Sequence, residues 1–441
     1  MARQHDDSCE CLKTELDIFS IPPTQTSMQH GFWNTSYPAP GLTDKGPIEF
    51  NFVGDGDYYL DISNTYLYLK VCITKADGTN LGVGDHAGPI NNWMHSLFEE
   101  VIVQMGDVII SYPSNCYPYR AYFETLLSVG KECKESQLSM VLWNKDTAGH
   151  MDDRTCATTG EHAGTNMGLR KRGKFTAVSE EVELVGRLHT DLTSQDRFLP
   201  NNLPIKIKLM RSKDIFSLMS PAGLAVKVNV KEAVLYYRQV ELNKSVQVGL
   251  DNALQMGTAK YPITRVQCKY FSNPVGMTTI NHENLFRGQM PTRVIVGLVN
   301  STAFNGSLAE NPFNFQHFNL SAISLHIGGM PTPIKPMRPT YPHQNLQSYM
   351  SVFTGTGKWK KDEGCGFTRS EHANGYCLYA WDLTADLSQG NNFELLKNTT
   401  MRLELTFATP LPTTVNAIIY AEFQNMLMVD NARQVTNNFS V

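Results

Sequence analysis

The sequence predicts an all-β protein made of two copies of one sandwich domain, with short helices and long loops. The first observation is a repeat. LHTDLTSQDRFLPNNLPIKIKLM (188–210) and LTADLSQGNNFELLKNTTMRLELTF (383–407) each carry an Asp-Leu pair, a polar turn with a Phe expected to be buried (Phe198, Phe393), and a strand. The strands alternate with period two, through Ile205, Ile207, Leu209 and through Met401, Leu403, Leu405, which places one face on a core. Asp191 precedes Ile205 by 14 residues and Asp386 precedes Met401 by 15.

The second observation is that neighbouring features repeat in the same order. Each copy is followed by another strand, through Val226, Val228, Val230 or over 415–420. Each is preceded by a short apolar strand entering a Gly turn, at Gly106 or Gly328, where a hairpin needs positive φ. Between them stand a Tyr-Pro and a helical stretch: YPYRAYFETLLSV, with Tyr122, Phe123, Leu126 and Leu127 on one face, and YPHQNLQSYMSVF, with Leu346, Tyr349, Met350 and Phe353 available for a similar one. A period near 200 residues is too long for a solenoid and suits two domains.

In chain order, residues 1–45 are polar and Pro-punctuated and are expected as an extended arm, whose apolar ELDIFSI (15–21) alone is suited to docking. The first sandwich is expected over 46–242. It opens with TYLYLKVCITK, which alternates Leu67, Leu69, Val71, Ile73 against Tyr66, Tyr68, Lys70, Cys72. The Gly- and Asp-rich stretch after it reads as a surface connection. The long connection 143–174 carries Arg170, Lys171, Arg172 and Lys174, read as a solvated loop tip, with nuclear import or polyanion contact as the second reading. A linker is expected over 243–260 and the second sandwich over 261–441. There MPTRVIVGLVN is apolar on both faces, hence doubly buried, and 303–321 reads as an ordered loop pinned by Phe304, Phe313, Phe315 and Phe318. Short strands with long excursions point to sandwiches rather than open sheets.

Length and charge narrow the function. The chain of 441 residues supplies two cores. Its net charge of −4, on 38 basic and 42 acidic residues, gives no global field for nucleic acid. Nine scattered Cys, several in strand contexts (Cys72, Cys268, Cys377), suit reduced core thiols. Cys9 and Cys11 lack a second ligand pair for zinc. No run approaches the ~18 apolar residues of a membrane span. The Asn-x-Ser/Thr triplets at Asn34, Asn300, Asn305, Asn319, Asn398 and Asn438 read as chance in an Asn-rich chain.

Catalytic patterns fail on spacing. FTGTGKW has Val352 where a phosphate loop needs its first Gly and Trp359 where it needs Ser or Thr. GVGDHAG has the wrong spacing for a dinucleotide fingerprint, and neither a Gly-x-Ser-x-Gly elbow nor His-Glu-x-x-His occurs. His95, His317 and His326 sit in strand or aromatic settings as structural residues. Asp191 and Asp386 read as capping or turn-forming groups, not a catalytic pair. No catalytic, cofactor-binding or metal-ligating residue is expected, and no cofactor.

ELDIFSIPPTQTS, GPIEF, YPYRAYFETLLSVG, LHTDLTSQDRFLPNN, FRGQMPTRVIVGLV and AFNGSLAENPFNFQHFNL together resemble the hexon-like major capsid protein of Polinton/Maverick elements and adintoviruses, from about residue 12 to 430. The resemblance implies a double jelly roll of two eight-stranded sandwiches. It also implies a homotrimeric capsomer, an icosahedral virion around double-stranded DNA assembled in the host nucleus, and penton and minor capsid proteins as partners, without sequence-specific nucleic-acid binding. Two similar barrels closed by a three-fold give six lobes, an outline that tiles facets. The insertions 75–92, 143–180, 300–320 and 354–376 are assigned to one end, as towers, and the arm to a neighbouring capsomer or a minor protein. A domesticated jelly-roll carbohydrate-binding module is the alternative. A cupin-like metal enzyme ranks below it, because the His are dispersed.

Overall fold

The computed structural model describes residues 6–43, 45–54, 56–157, 164–286, 288–332, 335–387 and 392–437. Asn438 lies outside them. The first half contains β1 (Met28–Ser36), β2 (Ile48–Val53), β3 (Tyr58–Lys75), β4 (Phe98–Met105), β5 (Val108–Ile109), β6 (Val182–Arg187), β7 (Pro204–Arg211) and β8 (Val226–Leu242). They form two sheets, in the orders β1-β8-β3-β6 and β2-β7-β4-β5. The second half contains β9 (Ala259–Asn273), β10 (Thr279–His282), β11 (Arg293–Asn300), β12 (Leu320–Ile327), β13 (Met330–Pro331), β14 (Leu378–Asp382), β15 (Met401–Phe407) and β16 (Val415–Val429). Its sheets run β9-β16-β11-β14, with a short fifth strand, Val435–Asn437, added on the end of β16, and β10-β15-β12-β13. Adding eight to every label converts the first pattern into the second. Two four-stranded antiparallel sheets in this order are a jelly roll, so the chain is a double jelly roll.

The repeated strands occupy the same place in both copies. In β7, Ile205, Ile207 and Leu209 are buried and face Met105, Val103 and Val101 of β4. In β15, Leu403 and Leu405 are buried opposite Leu325 and Ile323 of β12. Both hairpins after these partner strands turn at a Gly of positive φ, Gly106 at 58° and Gly328 at 59°. β11 is buried along its length, and Gly297 within it has no room for a side chain: an added Cβ would lie 2.6 Å from Phe315 and 2.9 Å from Leu378.

Helices α1 (Tyr117–Ser128), α2 (Met167–Phe175), α3 (Lys244–Met256) and α4 (Leu346–Gly355) stand outside the sheets. α1 buries Tyr122, Phe123, Leu126 and Leu127 as its periodicity requires. α4 differs from expectation. Its buried residues are Ser348, Ser351, Val352 and Gly355, while Leu346 and Met350 are exposed, because Gly355 lets the helix end lie directly on the Ala380 backbone.

Four other expectations are corrected. The expected arm is not separate from the sandwich throughout, since its residues 28–36 form β1, an edge strand paired with β8 from Met28↔Leu242 to Ser36↔Leu235. Most of 243–260 is α3, started by Asn243, whose side chain accepts from the Ser245 N–H. The basic cluster is no loop tip: it lies on α2, with Arg172 fully buried and Lys171 and Lys174 exposed. Of the two repeated Phe, Phe198 is half-buried and Phe393 is exposed.

Candidate assembly site

The join between the two barrels is built by α1. Its aromatic face stacks on the phenylalanines of the 303–321 segment. Tyr122 lies on Phe313 at 4.2 Å between ring centroids, Phe123 on Phe315 at 5.2 Å, and Tyr119 on Phe304 at 5.5 Å. Phe313 and Phe315 are fully buried, as the pinning role requires, whereas Phe304 and Phe318 are half-buried. The first half's core therefore runs without a break into Ile295, Ile418 and Tyr420 of the second. Fully buried aromatic contacts at interior packing density leave two barrels little freedom to rotate.

The other face of α1 carries charge into the same seam. Arg120 holds Asp191 at 2.7 Å and Glu124 at 2.9 Å. Asp191 also accepts from the Val266 N–H of β9, and Glu124 accepts from the Tyr420 hydroxyl of β16, so both carboxylates reach across to the second half. His189 Nδ1 lies 2.6 Å from Glu124. Burial works against the Glu124 charge, but Arg120 and His189 together hold its carboxyl down to about 2. Burial wins at Asp191 and lifts it above the usual carboxylate range, against the pull of Arg120 and the Val266 N–H. The capping role expected for Asp191 is thus replaced by a buried ion pair. Asp386, its counterpart in the repeat, is exposed.

A third set of contacts joins the four insertions to one another. They occupy equivalent connections, from β3 to β4, β5 to β6, β11 to β12 and β13 to β14. Arg172 donates to the Pro89 carbonyl and pairs with Asp146 at 2.6 Å. Asn311 donates its amide to Asp146, Asn314 to Asp152, and Tyr376 its hydroxyl to the Asp146 carbonyl. Lys145 pairs with Glu371 at 2.7 Å. Asp146 is the hub, buried and served from three of the four insertions other than by sequence neighbours. The solvated reading of this basic stretch fails at Arg172 because its partner lies 26 residues upstream.

The histidines singled out from sequence are internal. His95 is buried against the Tyr117 hydroxyl at 3.0 Å, and burial holds it well below its ordinary value. His317 stacks on Tyr341 at 4.0 Å, and His326 pairs with Glu404 at 3.2 Å. Among the described residues no three His, Cys, Asp or Glu gather as a metal site, and no helix is long and apolar enough to cross a membrane.

The class defined by this topology is the double jelly roll, and solved structures of that class superpose on the whole chain. The capsid protein in the Sputnik virophage structure matches with a TM-score of 0.66 at 11% identity, covering 99% of this chain and 94% of that one. The PBCV-1 virus capsid protein matches with a TM-score of 0.62 at 12% identity, covering 96% and 100%. The mavirus major capsid protein matches with a TM-score of 0.52 at 10% identity, covering 100% and 97%. In sequence, the chain is 26% identical over 432 residues to an uncharacterized protein of Caenorhabditis elegans, covering 94% of this chain and 98% of that protein. No family model matches.

Proposed function

We propose that the chain is the major capsid protein of a Polinton/Maverick-type element or adintovirus. Three copies form a pseudo-hexagonal capsomer, and the capsomers tile an icosahedral shell around double-stranded DNA. The observation that carries this reading is the identity of sheet order in two barrels locked by one aromatic and ionic seam. A chain that presents two equivalent, rigidly joined lobes gives a six-lobed block on a three-fold axis, which a single barrel does not. The likeness in fold to virophage and algal-virus capsid proteins supports the same role. The motif resemblance supports the Polinton lineage, with penton and minor capsid proteins as partners and the host nucleus as the place of assembly.

On this reading the bound insertions are a tower at one end, and the two lobes follow residues 46–242, completed by β1 of the arm, and 261–441, with β9 starting at Ala259. Acting on this reading as a structural protein, the chain calls for no catalytic residue. Shell contacts between capsomers are individually weak and act by number, whereas the trimer contact is large, on the order of 2,000 Å² or more. Size-exclusion chromatography with light scattering tests the reading. It predicts a trimer of about 148 kDa, three times the 49.4 kDa chain. A monomer at micromolar concentration would overturn it.

A further inference from the structure

α3 presents an apolar stripe that nothing among the described residues covers. Val246, Leu250, Ala253 and Leu254, spaced i, i+4, i+7, i+8, line one wall of a groove of about 440 Å³, and among the helix residues only Gln247 is buried. The opposite wall holds Tyr59, Phe198 and Leu242, part of a small core separate from the two large ones, and Tyr261, which belongs to the larger core. A 13-residue helix with one buried residue is marginal by itself, so this face calls for a cover. The groove also has an unanswered donor. Tyr59 is 5% exposed, and its hydroxyl has no hydrogen-bond partner among the described residues.

The chain also contains a segment of matching chemistry. Leu12, Leu16, Ile18, Phe19 and Ile21 are all more than 60% exposed, the densest run of exposed apolar side chains in the protein. The acidic residues Asp6, Asp7, Glu10, Glu15 and Asp17 stand among them against a single cation, Lys13. Charges of both signs flank the groove: Arg197, which donates to the Lys260 carbonyl at 2.6 Å, Lys260 itself, and Asp251 of α3, which pairs with Arg433 at 3.8 Å. The arm leaves the fold at Ser27 and Met28, both on the groove's rim. Between them and Phe19, however, lie Pro22 and Pro23, which favour an extended path. Eight residues let Phe19 reach up to about 26 Å from that root, at ~3.3 Å per residue.

We propose that residues 12–21 of one copy fill the α3 groove of a second copy, with a backbone carbonyl of the arm accepting from the Tyr59 hydroxyl. The exchange rests on the capsid reading and deepens it, giving the arm a specific receptor on a neighbouring subunit.

The test uses the full-length chain with Cys9→Ser and Cys11→Ser. A tagged copy bearing Phe19→Cys and an untagged copy of different length bearing Leu250→Cys are co-expressed, captured by the tag and treated with a short bismaleimide. The proposal expects a covalent tagged–untagged pair, lost when Leu254→Glu is added to the groove copy while the light-scattering mass stays that of a trimer. Trimers without that pair would overturn the exchange. So would a cross-link formed only within a chain that carries both cysteines. A monomeric mass would overturn the capsid reading itself.

Discussion

Replacing Arg120 with Leu tests whether the charged seam holds the two barrels together. Among the described residues Arg120 is the cation within 3 Å of both Asp191 and Glu124, and its removal takes the ion-pair partner from the buried Asp191 and leaves Glu124 only His189 to pair with. Losing one partner of a buried pair costs about 3–5 kcal/mol. A second estimate comes from Glu124 alone. A carboxyl titrating at its ordinary 4.5 unfolded and at about 2 folded contributes about 3 kcal/mol at neutral pH. Because its folded value is depressed, that stabilisation is complete above pH 4.5 and is lost as pH falls from 4.5 toward 2. Asp191 has the opposite sign. Burial raises it, so acidification relieves a cost there in the parent and a larger one in the variant. Urea unfolding followed by tryptophan fluorescence should therefore show Arg120→Leu about 3–5 kcal/mol less stable at pH 7, with the gap closing below pH 4.5. A variant as stable as the parent at pH 7, or a gap that ignores pH, would refute the assigned role of the seam.

Three further changes probe other parts of the fold. Phe313→Ala removes the ring stacked on Tyr122 and should cost about 3–5 kcal/mol, read as a lower Tm and as faster proteolysis between the halves. Gly297→Ala puts a methyl 2.6 Å from Phe315 and should cost about 1–3 kcal/mol in the same melt. Arg172→Ala, which leaves Asp146 buried and uncompensated, should cost about 3–5 kcal/mol, whereas Lys171→Ala beside it should change stability by less than about 0.5. Equal effects at the two positions would contradict the partition of the basic cluster.

The fold was legible wherever burial is one-sided. β7 and β15 alternate cleanly because one face meets a core, and their shared Asp-Leu prefix exposed the duplication. α1 was legible from its aromatic face. β1 was not, because an edge strand lying largely in solvent carries no apolar alternation, as His30, Gly31 and Asn34 show. α3 escaped notice for a related reason: its stripe is present, but Gly249 and Asn252 dilute it, and the residues that would explain the stripe lie in no neighbouring element. Asp191 and Arg172 were misread because their partners, 71 and 26 residues away, are set by folding and not by spacing. Asp191 and Asp386 occupy matching places in the repeat, yet the first is buried and the second exposed.

Image averages of the purified protein in the electron microscope test the central claim most directly, since shape follows from joined equal lobes. The account predicts a particle with three-fold symmetry and six similar lobes, each barrel-sized. Averages showing single two-lobed particles, or an assembly of another symmetry, would contradict it.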